Sequence, residues 1–413
     1  MPVIILSLFL AASTAVGIWL TMRQSRYVRS RRAAVPDDFS DVVRLEDHVK
    51  AADYTVAKGN LAILAAVWGL MATLAWLYFG INALHRLVDG WVSRPVLAGA
   101  CLILAMVLIS GIVDIPVDVA KTFGVEAKFG FNRSSPRLFA VDWAKGTILS
   151  LLLGAPLASG LLWLIGEMSG RWWLWAWAGF LIFSSAMMAI YPVWIAPLFN
   201  KFKPLPDGEV KSRIEGLLTK AGYKSGGLFV MDGSKRSNHG NAYFTGFGKT
   251  KRIVFFDTLL EKLSADETEA VLAHELGHFK HRDTIRAMTR LAVVSLVVFF
   301  WLGVAIKQPW FTAWLALPSS NAVAIVVAMI CIEPMGLLFA PLTNWLSWQA
   351  EWRADAYAAS LTGGVAHLSS ALIKLSRDNA STLTPDPLFA RFHYSHPPLP
   401  LRLSRLRATS QTA

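Results

Sequence analysis

Ser264-Ala265-Asp266-Glu267-Thr268-Glu269-Ala270-Val271-Leu272-Ala273-His274-Glu275-Leu276-Gly277-His278-Phe279 is the stretch on which the reading of this chain turns. It opens with a Ser or Asp able to cap a helix, continues with acids suited to a helix N-terminus, and runs on in helix formers. Residues four apart share a helix face, so His274 and His278 can offer two imidazoles to one metal ion. Glu275 follows the first histidine, where a carboxylate can reach a water on that metal. Val271, Leu272, Leu276 and Phe279 are apolar, which places the predicted helix inside the protein rather than on its surface.

The surroundings of this helix are those of a membrane protein. The chain has 413 residues, is 54% hydrophobic and has a mean hydropathy of +0.44. That is too apolar for an ordinary soluble protein, and the apolar residues come in blocks near the ~20 residues that cross a bilayer. The blocks are Val3–Met22, Leu61–Ile81, Pro95–Val113, Thr147–Ile165, Trp172–Ala196, Leu291–Ile306 and Ala322–Leu342, the sixth being short. The first lacks a basic n-region and is followed by Arg23, Arg26, Arg29, Arg31 and Arg32, so it reads as an uncleaved anchor with its N-terminus outside. Trp163, Trp172, Trp173, Trp175 and Trp177 read as an interfacial belt.

The net charge of +12 invites a nucleic-acid reading, but its distribution opposes one. Of 40 Lys plus Arg, all but Arg86, Arg94, Arg171 and Lys307 fall in the loops after spans 1, 3, 5 and 7. The positive-inside rule then puts those loops, the HExxH and the C-terminal tail in the cytoplasm. Some of these cations are expected to meet anionic lipid headgroups. The two cysteines, Cys101 and Cys331, lie inside predicted spans and suggest packing rather than a disulfide.

Between spans 5 and 6, Lys203–Gly208 reads as a turn-rich linker and Glu209–Ala221 as an amphipathic helix. Residues 227–231, 242–246 and 252–256 read as strands, the last two joined through Gly248-Lys249-Thr250. A small sheet beside a zinc helix suits a protease, because a strand edge can pair with an extended peptide.

A catalytic zinc usually takes three protein ligands and leaves one position open. His281 is a poor third, since a metal held at i and i+4 is badly reached from i+7. Gln349–Ala358 reads as a helix continuing from span 7, with Glu351 and Asp355 four apart on one face. One carboxylate there can bind zinc while the other takes the second N–H of a ligating histidine.

Here the chain resembles a family. His274–His278, Glu351-x-x-x-Asp355 and seven spans are similar to the CAAX prenyl protease type 1 family of integral-membrane zinc metalloproteases, the a-factor-converting type. Gly124-Val125-Glu126-Ala127-Lys128-Phe129-Gly130-Phe131-Asn132-Arg133 resembles its EEKHGFN loop, with Ala127 and Phe129 in place of the usual acid and histidine. Tyr191-Pro192 with Ile195–Phe202, Asn241-Ala242-Tyr243-Phe244-Thr245-Gly246, and Tyr394-Ser395-His396-Pro397-Pro398 with Arg402 resemble its linker, substrate-strand and C-terminal motifs.

The resemblance implies an all-α polytopic fold in which seven transmembrane helices enclose a chamber, with a cytoplasmic zinc-metalloprotease domain carrying a small β-sheet. It implies one Zn2+ per chain on His274, His278 and Glu351, Asp355 behind a zinc histidine, and Glu275 as general base. Asn241, Ala242 and Tyr243 would align substrate as an added strand, while His396 and Arg402 would stabilise the oxyanion or hold the substrate C-terminus. Asp283 is expected to anchor the helix end, and Glu126 and Asn132 to organise their loop. We therefore expect four segments: 1–199 with spans 1–5 and cytoplasmic loops, 200–290 as the cytoplasmic metalloprotease insert, 291–342 with spans 6 and 7, and 343–413 as a cytoplasmic part carrying the third ligand.

The expected activity is a zinc endopeptidase acting on prenylated CaaX-type or membrane-associated peptides, with lipids as neighbours and no nucleic acid. A bacterial membrane quality-control protease of the HtpX type is the alternative, although that type has fewer spans and lacks the GFN loop. No ER retention signal closes the chain, which favours a bacterial inner membrane over the ER.

Overall fold

The fold is described by a computed structural model covering residues 2–411 except 169, 224–225, 246–251, 309 and 314. Among the described residues, seven helices are long and apolar enough to cross a membrane: Val3–Ser30, Leu45–Asp89, Pro95–Glu126, Pro136–Glu167, Trp172–Phe199, Asp283–Ala305 and Asn321–Thr362. Each contains or closely overlaps one of the apolar blocks, the short sixth included. Spans 2, 3 and 5 pass through π-helical turns at Trp76–Gly80, Ala120–Glu126 and Tyr191–Ile195 without breaking, and the turn of span 3 carries that helix beyond its apolar block. The protein is a multi-pass integral membrane protein.

The spans pack loosely. In a solid bundle each helix hides a face, yet the most apolar windows of spans 2, 4 and 6 are only 6% buried. Spans 3 and 7 are the better-packed ones, at 33% and 39%. They meet span 4 through Leu102, Ile103, Leu162 and the run Ala322–Val327, where Gly99 lets Leu162 and Ala322 approach closely. Contacts this narrow leave much of the surface of the other spans accessible. Glu333 lies exposed in span 7 about 18 Å along from Asn321 at 1.5 Å per residue. A carboxylate facing lipid at that depth would cost about 2.5–3.5 kcal/mol, so an inner, wetted face is the favourable place for it.

The tryptophan reading needs correction. Trp163 and Trp175 are exposed, but Trp172 is fully buried, and Trp177 donates its indole N–H to Ala292 O of span 6. Trp173 presses on Gly303 and Phe300 of the same span. Trp173 and Trp177 thus join span 5 to span 6, so the five rings do not form a uniform belt.

The insert holds a four-stranded sheet in the order β1-β2-β4-β3, with β1 Phe202–Pro204, β2 Leu228–Met231, β3 Ala242–Thr245 and β4 Arg252–Phe256. β1 is antiparallel to β2, β2 parallel to β4, and β3 antiparallel to β4 with Ala242 opposite Phe255. β1 takes in Lys203 and Pro204, where the sequence predicts a linker; Pro204 is tolerated there because an edge strand needs fewer amide donors. The predicted Gly248-Lys249-Thr250 connection, and Gly246 of the strand motif, lie outside the described residues.

One core joins sheet and helices. Ile253 and Phe255 of β4, Ile214, Leu217 and Leu218 of the helix Glu209–Lys220, and Ala270–Ala273 with Leu276 of the helix Ala265–Lys280 are all buried together. The GFN loop reaches this insert from the membrane side. Asn132 bridges to Ser237, and Phe131 stacks on His239 at 4.3 Å between ring centroids. Tyr54 of span 2 donates to Glu126 at 2.7 Å. Glu126 and Asn132 therefore organise the loop that holds the chain just before β3.

Candidate metal centre

The helix Ala265–Lys280 starts on a capping box: Ser264 Oγ accepts from the Glu267 amide, and the Glu267 carboxylate accepts from the Ser264 amide at 2.8 Å. Only its last turns reach the site. Gly277 makes the approach possible, because it lies directly against Ala354 of the seventh span helix. That helix runs unbroken for 42 residues, about 60 Å, roughly twice the hydrocarbon thickness of a bilayer. It thus carries Glu351 and Asp355 out of the membrane as part of one rod.

The crossing brings His274, His278 and Glu351 together, with their ligand atoms within 4.8 Å of one another. His274 Nε2 is 3.5 Å from Glu351 Oε2, and His278 Nε2 is 3.3 Å from Glu351 Oε1. Each histidine is held from behind by its other nitrogen. His274 Nδ1 lies 2.8 Å from Asp355 Oδ1, and His278 Nδ1 lies 3.1 Å from Asp283 Oδ2. With Nδ1–H on a carboxylate, each ring turns a lone pair on Nε2 toward Glu351.

The donor set fits a divalent cation. Glu351 is almost wholly buried, and its Oε2 makes no hydrogen bond. A carboxylate oxygen without a hydrogen bond at such depth is costly unless positive charge faces it, and His274 Nε2 and Arg402 Nη1 stand 3.5 and 3.6 Å away. Burial would lower the His274 pKa, but the neighbouring carboxylates of Asp355 and Glu351 outweigh it and raise it to about 9. A field that holds a proton so firmly is also one that welcomes a metal dication in its place. Two imidazoles and a carboxylate at this separation suit zinc among the common metals.

Glu275 points into the same cluster, half-buried, and burial raises its carboxyl above the usual range against the lowering influence of His274 and His278. Arg402 is buried and sits flat on Asp355, with Nε to Oδ2 at 2.9 Å and Nη2 to Oδ1 at 2.5 Å. Its Nη1 lies 3.6 Å from Glu351 Oε2. His396 is largely exposed, with Nε2 3.3 Å from Glu351 Oε1 and Nδ1 3.0 Å from Ser395 Oγ. It stands at the mouth of the cluster, while His281 takes no part in it.

Asn241 is exposed and immediately precedes β3, with its side-chain oxygen accepting from the Ala242 amide and its backbone oxygen accepting from the Phe256 amide. Ala242 and Tyr243 follow on a strand that ends the sheet, whose outer edge pairs with no strand among the described residues.

Beside the cluster, Asp283, expected to anchor the helix end, also contacts a ligand-type histidine, and Arg353 joins it. Asp283 reaches back to His278, and Arg353 contacts Asp283 at 2.9 Å. The only signal of that contact was an acid five residues past a ligand-type histidine, too far for a helix face but within reach of a turn.

Comparison with known proteins agrees with this arrangement. Residues 24–201 match the family described as CAAX prenyl protease N-terminal, five membrane helices, and residues 204–410 match peptidase family M48. A CAAX prenyl protease 1 homolog of Arabidopsis thaliana is 34% identical over 384 residues, covering 91% of this chain and 90% of that protein. CAAX prenyl protease 1 of Saccharomyces cerevisiae is 32% identical, covering 99% and 96%. A crystal structure of Ste24p from S. mikatae superposes with a TM-score of 0.91 at 30% identity over 98% of both chains.

Proposed function

The chain belongs to peptidase family M48, in its CAAX prenyl protease branch, and is a membrane metalloprotease acting on peptides or proteins; from that premise we propose the metal, the residue roles and the substrate class. The metal is zinc, one per chain, on His274 Nε2, His278 Nε2 and Glu351. The observation that carries this is the convergence of these three groups around a buried carboxylate oxygen with no hydrogen bond, each imidazole being fixed by an acid behind it. Held by His274, His278 and Glu351, zinc would supply Lewis acidity toward a scissile carbonyl and would bring the pKa of a water toward ~7.

The chain does the rest. Glu275 takes the proton of the attacking water as its oxygen bonds to the carbonyl carbon, then delivers that proton to the leaving nitrogen as the C–N bond breaks. Asp355, clamped by Arg402, keeps the His274 ring turned to the metal. His396, exposed beside Glu351, donates toward the carbonyl oxygen as negative charge grows on it. Arg402 contributes through its Nη1 on the Glu351 side. Asn241, Ala242 and Tyr243 bind the peptide as a further strand on the open edge of β3.

The substrate is a C-terminal CaaX-type peptide carrying a prenyl group on its cysteine, with the lipid kept in the membrane part and bilayer lipids around it. The site faces the cytoplasm, which the distribution of Lys and Arg supports. The match through the five-helix N-terminal domain does not favour a quality-control protease of the HtpX type.

The test is incubation of a farnesylated CaaX peptide with purified protein, using wild type, Glu275→Gln and chelator-treated samples. Release of the last three residues, lost with Glu275→Gln and on chelation and restored by zinc, is the expected result. Intact peptide alongside cutting of an unfolded membrane protein by the zinc-loaded enzyme would refute the substrate assignment.

A further inference from the structure

Between His278 and span 6 the chain makes a strained turn. His281 closes the helix with its amide on Gly277 O, and Arg282 then adopts a left-handed conformation at φ 55° and ψ 38°. A non-glycine residue is strained there and persists only where its surroundings impose the conformation. The turn folds Asp283 back under the helix it has just left. Its Oδ2 meets His278 Nδ1 at 3.1 Å, and its Oδ1 meets Arg353 Nη2 at 2.9 Å. Arg286, one turn further on, adds a contact at 3.5 Å.

Arg353 sits two residues past Glu351 on the seventh span helix, so this link ties together both helices that supply the metal-binding groups. The arrangement repeats what lies behind the other histidine, where Asp355 holds His274 and is held by Arg402. The two arms differ in setting. The Asp355 side chain is 4% exposed and Arg402 9%, whereas Asp283 is 13% exposed and Arg353 35%. The Asp283 arm is the one nearer solvent.

We infer that Asp283, seated by the left-handed turn at Arg282 and by Arg353, is a positioning residue that fixes the tautomer and orientation of His278 and thereby sets how tightly the centre holds its metal. This rests on the reading of His278 as a metal ligand. A carboxylate on Nδ1–H keeps Nε2 free to bind and makes the imidazole a better donor, and loss of such a partner typically weakens metal affinity about 10–100-fold. Arg353 acts one step further back by keeping Asp283 in place.

The experiment is a competition titration of the purified full-length protein in detergent against a chromophoric zinc chelator. Wild type, Asp283→Ala, Asp283→Asn and Arg353→Gln are compared, with thermal unfolding of each metal-stripped sample alongside. Asp283→Ala is expected to bind zinc about 10–100-fold more weakly, with a smaller loss in the same direction for Arg353→Gln. Asp283→Asn keeps an acceptor but not the charge, and is expected to lose about tenfold. It also serves if the alanine variant fails to fold. Wild-type zinc affinity in either Asp283 variant, whatever happens to the unfolding temperature of the stripped protein, overturns the inference. Failure of wild type itself to take up one zinc would instead overturn the ligand assignment.

Discussion

A methyl group is enough to disturb this site. A Cβ built on Gly277 would stand 2.6 Å from Ala354 Cα and 3.0 Å from Ala354 O, backbone atoms that no rotamer change can move. Gly277→Ala must therefore push the two helices apart, and those helices bring the histidines and Glu351 together. We expect a loss of about 1–3 kcal/mol or more in stability, as for other overpacked contacts, accompanied by weaker zinc binding. Unfolding temperature and bound zinc, measured on the same preparation, test both. Glu275→Gln should behave differently. It removes the proton carrier without touching a metal-binding atom, so kcat should fall by about 10²–10⁴ while zinc content holds at the wild-type level. A variant that lost zinc as well would show Glu275 to be part of the metal's support.

At the scale of elements, the helix Ala265–Lys280 depends on its first turn as much as on its last. Glu267 is buried, and burial by itself would raise its pKa. Lys374, Ser370 and the Ser264 amide outweigh that and hold it down from 4.5 to about 2. A carboxyl with a depressed folded-state pKa adds stability that is full above its unfolded value and disappears as pH falls through the folded value. Unfolding temperatures of the metal-stripped protein should therefore drop between about pH 5 and pH 2 in wild type. Glu267→Gln should be less stable at neutral pH and show a shallower acid slope. Ser264→Ala, which removes the cap itself, should cost about 1 kcal/mol by the same measurement.

At the scale of the whole molecule, seven spans and a charge bias predict one orientation. Cysteines introduced at exposed Lys203 and at exposed Trp91, in a background lacking Cys101 and Cys331, should differ in labelling by an impermeant maleimide. In right-side-out membrane vesicles, Trp91→Cys should react and Lys203→Cys should remain protected. The reverse pattern would place the metal centre on the other side of the membrane. Loose packing of spans 2, 4 and 6 has a separate consequence. With so little helix-to-helix burial to hold them, they should show faster backbone amide exchange in detergent than spans 3 and 7, which hydrogen exchange read by mass spectrometry would test.

Much of this protein could be read from local sequence, because its constraints are local. A bilayer demands long apolar runs, and seven such runs appear whatever their neighbours are. A helix places positions four apart on one face, so His274 and His278 define half a metal site by spacing alone. The motifs resembling those of a known family extended that reading to Glu351. Tertiary structure decided what spacing cannot carry. Seventy-two residues separate His278 from Glu351, and only the crossing at Gly277 and Ala354 brings them within a metal's reach. β1 was hidden because three residues ending in proline have no strand signature until Met231, Val230 and Phe229 offer them a register. Asp283 was legible as a helix-end anchor, but its link to His278 and Arg353 was not: a left-handed turn and a second helix set those partners, and neither has a period that a sequence displays.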